Sequence, residues 1–252
     1  TPIYLQAAVI DPRATGGAAL SDGVAFRGLR PVQGPMNKAI GPTLPLVGYY
    51  DAGLVQDSLT GKVYLIGGRD ASYLYDSIVE IDPSQPFGQE INTLPDRLPI
   101  PNGGFAVAWD PVQHAAYIFG GAAFEAVDKI VRFEPGRPAG QRVETLPDRL
   151  PGSGRAYTGI ARDPRTGLMY LFDGIAGFSV PTILAFNPSA PSGNRLQTLP
   201  VTIPDSYSPT YADWYDRGNK AYFFDTYTPH YQSPGSPRVF DIIVANIADS
   251  KI

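Results

Sequence analysis

The phrase Val63-Tyr64-Leu65-Ile66-Gly67-Gly68 constrains this chain more than any other stretch, because it returns three more times. It recurs as Ala116-Tyr117-Ile118-Phe119-Gly120-Gly121, as Met169-Tyr170-Leu171-Phe172-Asp173-Gly174 and as Ala221-Tyr222-Phe223-Phe224-Asp225-Thr226, the tyrosines stepping by 53, 53 and 52 residues. A short apolar run ending in two small residues reads as a buried strand that stops where another backbone passes close by. Recurrence at a fixed step of this size means a fold assembled from copies of one unit, none of which can bury its apolar surface alone.

Superimposing the copies predicts four strands per unit, a to d. In the clearest unit, strand a is Phe105 to Trp109, strand b Ala116 to Phe119, strand c Lys129 to Phe133 and strand d Arg142 to Leu146. Asp110-Pro111, Gly120-Gly121, Glu134-Pro135 and Pro147 punctuate them. Runs of this length, rich in β-branched and aromatic residues and fenced by Gly and Pro, are strands of antiparallel sheets. Strand c recurs at Ser77 to Ile81 and Thr182 to Phe186, and strand d at Ile91 to Leu94 and Leu196 to Leu199. The loop after strand d is copied too: Leu94-Pro95-Asp96-Arg97-Leu98-Pro99 returns at Leu146 to Pro151. Its Asp-Arg pairs read as a structural device that links neighbouring units rather than as ligand clamps.

The N-terminal stretch fits once its turn is compared with the one at Asp163. Tyr4 to Ile10 becomes strand a, Ala18 to Leu20 strand b and Val24 to Phe26 strand c of a shorter first unit, with strand d between Lys38 and Pro45. Strand c of the last unit is Val239 to Val244, and its strand d comes from 245–252 or from the first five residues. The expectation is one domain of five units, at about 1–46, 47–99, 100–151, 152–204 and 205–252.

Sheets this small must pack on one another, and radial packing around an axis leaves only short, protected edges. The expected fold class is therefore all-β: a five-bladed β-propeller of four-stranded antiparallel sheets, the ring closed by strands from both termini. The units resemble kelch repeats, through the Gly67-Gly68 and Gly120-Gly121 doublets, the strand c endings Asp82-Pro83 and Glu134-Pro135, and the Leu-Pro of strand d. The tryptophan usual in strand d of such repeats is replaced here by Ile91, Val143 and Leu196.

Composition excludes several functions. There is no cysteine, so disulfides, thiolate metal sites and cysteine nucleophiles are ruled out. A net charge of −4 without a basic run disfavours nucleic acid and anionic membranes, which both demand a basic patch. No apolar stretch approaches the roughly 18 residues that cross a bilayer. The start at Thr1 fits removal of a signal peptide from a secreted protein, or a domain cut from a longer one.

In a propeller the b–c and d–a loops share one face, around the mouth of the axial channel. Tyr73, Tyr75, Phe124, Phe178, Tyr227, His230 and Tyr231 fall in the b–c loops, Arg155 and Tyr207 in the d–a loops. Aromatic rings interleaved with hydrogen-bonding groups suit a sugar, whose CH face stacks on a ring while its hydroxyls meet polar groups. The leading expectation is a non-catalytic propeller that binds a carbohydrate or a protein on this face. The alternative is a glycosidase-like hydrolase with acids in the channel, for which Asp51, Asp173, Asp213 and Asp225 are the candidates at inner strand ends. No cofactor is expected, although strand-end carboxylates and carbonyls can ligate a channel calcium ion. His114 and His230 stand apart from each other and from any serine elbow, which argues against transition metals and nucleophilic triads.

Overall fold

A computed structural model describes residues 8–9, 19–20, 50–86, 88–123, 126–172, 182–202, 209–215, 220–225 and 242–246. Among them there are strands and no helix. The first pair, β1 (Ala8–Val9) and β2 (Ala19–Leu20), is antiparallel and falls within the stretches expected as strands a and b of a first unit. Its strand c, its strand d and the closing strand from the chain ends lie outside the described residues.

Three complete sheets follow, each an antiparallel meander in chain order. Sheet A holds β3 (Gly53–Gln56), β4 (Val63–Ile66), β5 (Ser77–Ile81) and β6 (Ile91–Arg97). Sheet B holds β7 (Ala106–Asp110), β8 (Ala115–Phe119), β9 (Lys129–Phe133) and β10 (Val143–Arg149). Sheet C holds β11 (Gly159–Arg162), β12 (Met169–Phe172), β13 (Thr182–Phe186) and β14 (Leu196–Thr202). β15 (Pro209–Tyr215), β16 (Lys220–Asp225) and β17 (Ile242–Asn246) make a fourth meander, sheet D. The strand a members β3, β7, β11 and β15 pack against one another in chain order, so successive sheets share an inner edge. This is a β-propeller arrangement of four-stranded antiparallel sheets.

The sheets stack face to face, which explains why their b strands β4, β8 and β12 are apolar throughout. In β8 all five residues are buried, alternate ones serving different neighbours. Ala116 and Ile118 join the core with Tyr64, Ile66 and Leu94 of sheet A, while Ala115, Tyr117 and Phe119 join the core with Leu171, Leu184 and Phe186 of sheet C. The repeated tyrosine meets the repeated phenylalanine one sheet on: Tyr64 lies 5.1 Å from Phe133, and Tyr117 lies 5.1 Å from Phe186, ring centre to ring centre. Truncating such a ring to alanine costs about 3–5 kcal/mol.

The glycine doublets sit where one sheet touches the loop that enters the next. Gly120 has φ +66° and Gly121 φ +108°, a region closed to most residues. A Cβ on Gly120 would lie 2.1 Å from the Arg155 carbonyl oxygen, the atom that accepts the Gly121 N–H at 2.6 Å. Gly67-Gly68 repeat the contact one sheet earlier, against the carbonyl of Asn102.

The outer strands run further than the sequence implies. Each of β6, β10 and β14 shifts register by a bulge around its proline and then continues. Proline is tolerated there because an outer strand need not donate its N–H, and its presence blunts an exposed edge. The alternation holds across it, burying Leu94, Asp96 and Leu98 in sheet A and Leu146, Asp148 and Leu150 in sheet B. The two aspartates reach the next sheet. Asp96 accepts the Gly140 and Arg142 N–H groups at 2.8 and 3.2 Å and pairs with the Arg142 guanidinium at 3.4 Å. Asp148 does the same with Arg195, at 3.0 Å to its N–H and 3.1 Å to its guanidinium. The linking device of the Asp-Arg pairs is thus carried by the aspartate alone. Arg97 stands 3.9 Å from Asp76 in its own sheet, and Arg149 donates to the carbonyls of Leu146 and Asp148.

Candidate functional site

The rim of the b–c and d–a face is built from one backbone rung that recurs in successive sheets. In sheet A it joins Tyr50, Arg69 and Leu74 through single antiparallel bridges; in sheet B it joins Gly103, Ala122 and Ala126. The backbone is the same, but the side chains shrink from Tyr and Arg to hydrogen and methyl. Next to it stands Asp51, with φ +54°, matched by Gly104 at +63° and Tyr157 at +54°. These left-handed residues are linked around the inner edge: Gly104 N–H donates to Asp51 O at 2.8 Å, and Tyr157 N–H to Gly104 O at 2.6 Å. Non-glycine residues in this conformation cost about 1–3 kcal/mol each and persist only when their surroundings fix them.

On sheet A the rung carries a polar and aromatic cluster. Arg69 Nε donates to Asp51 Oδ2 at 2.7 Å. Asp70 folds the b–c loop around its carboxylate, accepting N–H groups from Ser72 at 2.6 Å and Tyr73 at 2.7 Å and the Tyr75 hydroxyl. The Tyr75 hydroxyl and then these two N–H groups hold the Asp70 carboxyl below the usual carboxylate range. The turn leaves Tyr73 71% exposed, and Tyr50 is 57% exposed. Large apolar surface of this kind, fixed on an ordered rim, is what a binding site presents.

Between the sheets beneath this rim, Leu98, Asn102, Ile118 and Val131 line a cavity of about 10 Å³. That is room for about one water, so a ligand on this face must lie on the rim rather than enter between sheets A and B.

The expected site residues separate clearly. Tyr73 and Tyr75 come together on the Asp70 loop, with Asp51 beside them. Arg155 does not join them: it is buried, and its guanidinium donates to the backbone and hydroxyl oxygens of Thr182 in sheet C. Asp213 and Asp225 are strand positions in β15 and β16, opposite Tyr222 and Pro209. Asp173, Phe124, Phe178, Tyr207, Tyr227, His230 and Tyr231 lie outside the described residues. Among the described residues no three His, Asp or Glu side chains converge. Tyr50 and Arg69 were not singled out from sequence. The signal was present, since Tyr50-Asp51 stands where the next unit has Gly103-Gly104.

A second concavity opens on the opposite face, among the a–b and c–d turns, where sheets A and B meet. It is a groove of about 690 Å³ with Thr60, Lys62, Tyr64 and Glu80 on one side and Glu134 and Arg137 on the other. Lys62 pairs with Glu80 at 3.2 Å and Arg137 with Glu134 at 2.8 Å.

No protein-family model matches this sequence, and no curated protein matches it. Similarity appears at the level of structure. The solved structure titled "Structure of YjhT", of propeller type, superimposes with a TM-score of 0.54 at 13% identity, over 69% of this chain and 58% of that one. "Crystal structure of Nidogen/Laminin Complex" gives 0.46 at 17% identity, over 69% and 54%. The chain thus spans little more than half the length of either. Among the described residues no helix is long and apolar enough to cross a membrane. At 13% identity the likeness to YjhT is one of fold: the chain is a β-propeller, and its task must be read from its own residues.

Proposed function

We propose that this chain is a non-catalytic binding propeller that holds a carbohydrate on the rim of its b–c and d–a face. The observation that carries this reading is the asymmetry of the repeated rung. At the rung positions sheet A raises Tyr50 and Arg69 where sheet B has Gly103 and Ala122, and Tyr73 is exposed beside them. Exposed rings on this wall suit the CH face of a sugar, with Arg69 and Asp51 within reach of its hydroxyls. In this reading the five units close into one kelch-like ring, completed by strands from both ends of the chain.

A glycosidase reading needs one carboxyl held protonated beside a second acid. Of its four candidates Asp51 alone has a described side chain, and it is engaged with Arg69 at 2.7 Å on the rim. The test is a glycan array with the intact chain, followed by titration of any hit against Tyr73→Ala and Arg69→Ala. Each variant is expected to weaken binding about tenfold, the loss of one stacking or charged contact. Silence across the array, or a hit untouched by both substitutions, contradicts the proposal.

A further inference from the structure

The groove on the opposite face has a counterpart one junction on, and there it is closed. At the junction of sheets B and C, Gln113 in the a–b turn extends its carboxamide across the gap. Its Nε2 donates to the Pro188 carbonyl of sheet C at 3.0 Å, and its Oε1 accepts the Tyr117 hydroxyl at 2.8 Å. At the junction of sheets A and B the two anchors are kept, as Tyr64 and Pro135, and both line the groove. The residue that would bridge them is Thr60. It is too short, and its hydroxyl is turned back onto Asp57 Oδ2 at 2.7 Å.

We infer that the groove between sheets A and B is a binding site for a primary carboxamide, such as the side chain of a glutamine in a peptide. Next door Gln113 supplies an N–H donor to a proline carbonyl and a carbonyl that accepts a tyrosine hydroxyl. Here the contact to the proline carbonyl carries over, while the Tyr64 proton goes to Glu80. The Tyr64 hydroxyl donates to Glu80 Oε2 at 3.3 Å, which leaves its oxygen open to an amide N–H. Lys62 and Asn92 line the same groove and supply donors for the carbonyl. Charge favours a neutral group. The lining acids Asp57, Glu80 and Glu134 are matched by Lys62, Arg137 and Arg142, so a carboxylate or an ammonium gains little from the whole. The volume of about 690 Å³ admits more than the amide itself, so the rest of a residue fits behind it.

The test uses N-acetyl-L-glutamine N-methylamide, with the norleucine and glutamate analogues as controls, titrated into the isotope-labelled chain and followed by amide NMR shifts. The glutamine probe should move the resonances of Thr60 to Lys62 and of Arg137, and both controls should bind at least about tenfold more weakly. Thr60→Gln should seat its own carboxamide in the groove and abolish binding while leaving the melting temperature unchanged or raised. Thr60→Ala should bind as the parent does. Equal binding of glutamine and norleucine probes, or unaltered binding by a folded Thr60→Gln chain, overturns the inference. Should Thr60→Gln fail to fold, the comparison of probes on the parent chain decides.

Discussion

Asp96 and Arg142 lie 46 residues apart in sequence and belong to adjoining sheets, yet the carboxylate takes both the backbone N–H and the guanidinium of that arginine. Asp148 and Arg195 repeat the arrangement at the next junction. The aspartate side chains are 2% exposed and the arginines about a fifth, so each clasp is largely shielded from salt and solvent. Between them these pairs set the register of three sheets in a way that apolar faces alone cannot.

Removing one partner tests the clasp. Asp96→Ala should cost about 2–3 kcal/mol, somewhat below the roughly 3–5 of a fully buried pair because Arg142 keeps partial access to water. Urea unfolding measures it. A loss of about 0.5 kcal/mol or less, the size of an exposed ion pair, would mean that sheet packing holds the register unaided.

Gly120→Val should cost at least about 1–3 kcal/mol from overpacking alone, with the strain of a left-handed valine in addition. Gly136 is the control. A Cβ there would meet nothing within 4 Å, so Gly136→Ala should leave the thermal melt nearly unchanged. Equal melts for the two variants would show that the doublet is not at a tight contact.

The clasp also has an acid limit. Burial pushes the Asp148 carboxyl up, but the N–H groups of Arg195 and Gly193 and the Arg195 guanidinium outweigh it, leaving the pKa below the ordinary 3.8. With the folded value below the unfolded one, the clasp contributes its full stability above pH 3.8 and loses it as pH falls through the folded value. Asp148→Asn should therefore flatten the stability profile below pH 4, read as urea midpoints across an acid series. A profile as steep as that of the parent would assign the acid sensitivity to other carboxyls.

At the alkaline end the sign reverses. Burial raises the Tyr117 hydroxyl from 10.0 to about 12, so its contribution is present below pH 10 and is lost as pH climbs through 12. Absorbance at the phenolate band should show this residue ionising only with unfolding, and Tyr117→Phe should delete that late step. A fast ionisation near pH 10 that Tyr117→Phe removes would contradict the burial.

How much of this was legible in the sequence can be seen residue by residue. The recurring Tyr64, Tyr117 and Tyr170 located strand b of sheets A, B and C, because a strand buried on both faces must be apolar throughout. The doublets located the close contacts, since a Cβ on Gly67 or Gly120 would collide with the backbone carbonyl of Asn102 or Arg155. Strand d was cut short at Pro95, Pro147 and Pro200, because proline reads as a stop wherever a strand must donate. On an outer edge with a bulge it need not, and the strand runs on to bury Asp96. That burial was invisible because its partner, Arg142, sits in the next unit. Arg155 was taken for a rim residue on the strength of its loop, whereas its guanidinium turns inward to Thr182. The bridged rungs that carry Tyr50 and Arg69 were not legible, and they emerge only when sheets A and B are compared.

The measurement that bears most directly on the account is a map of amide NMR shifts on adding the best glycan from the array. Perturbations confined to Tyr50, Asp51, Arg69 to Leu74, Gly103 and Ala122 are the predicted result. Shifts centred on Asp213 in β15 and Asp225 in β16, with turnover of the glycan, would instead make the channel acids the working site and contradict a non-catalytic rim.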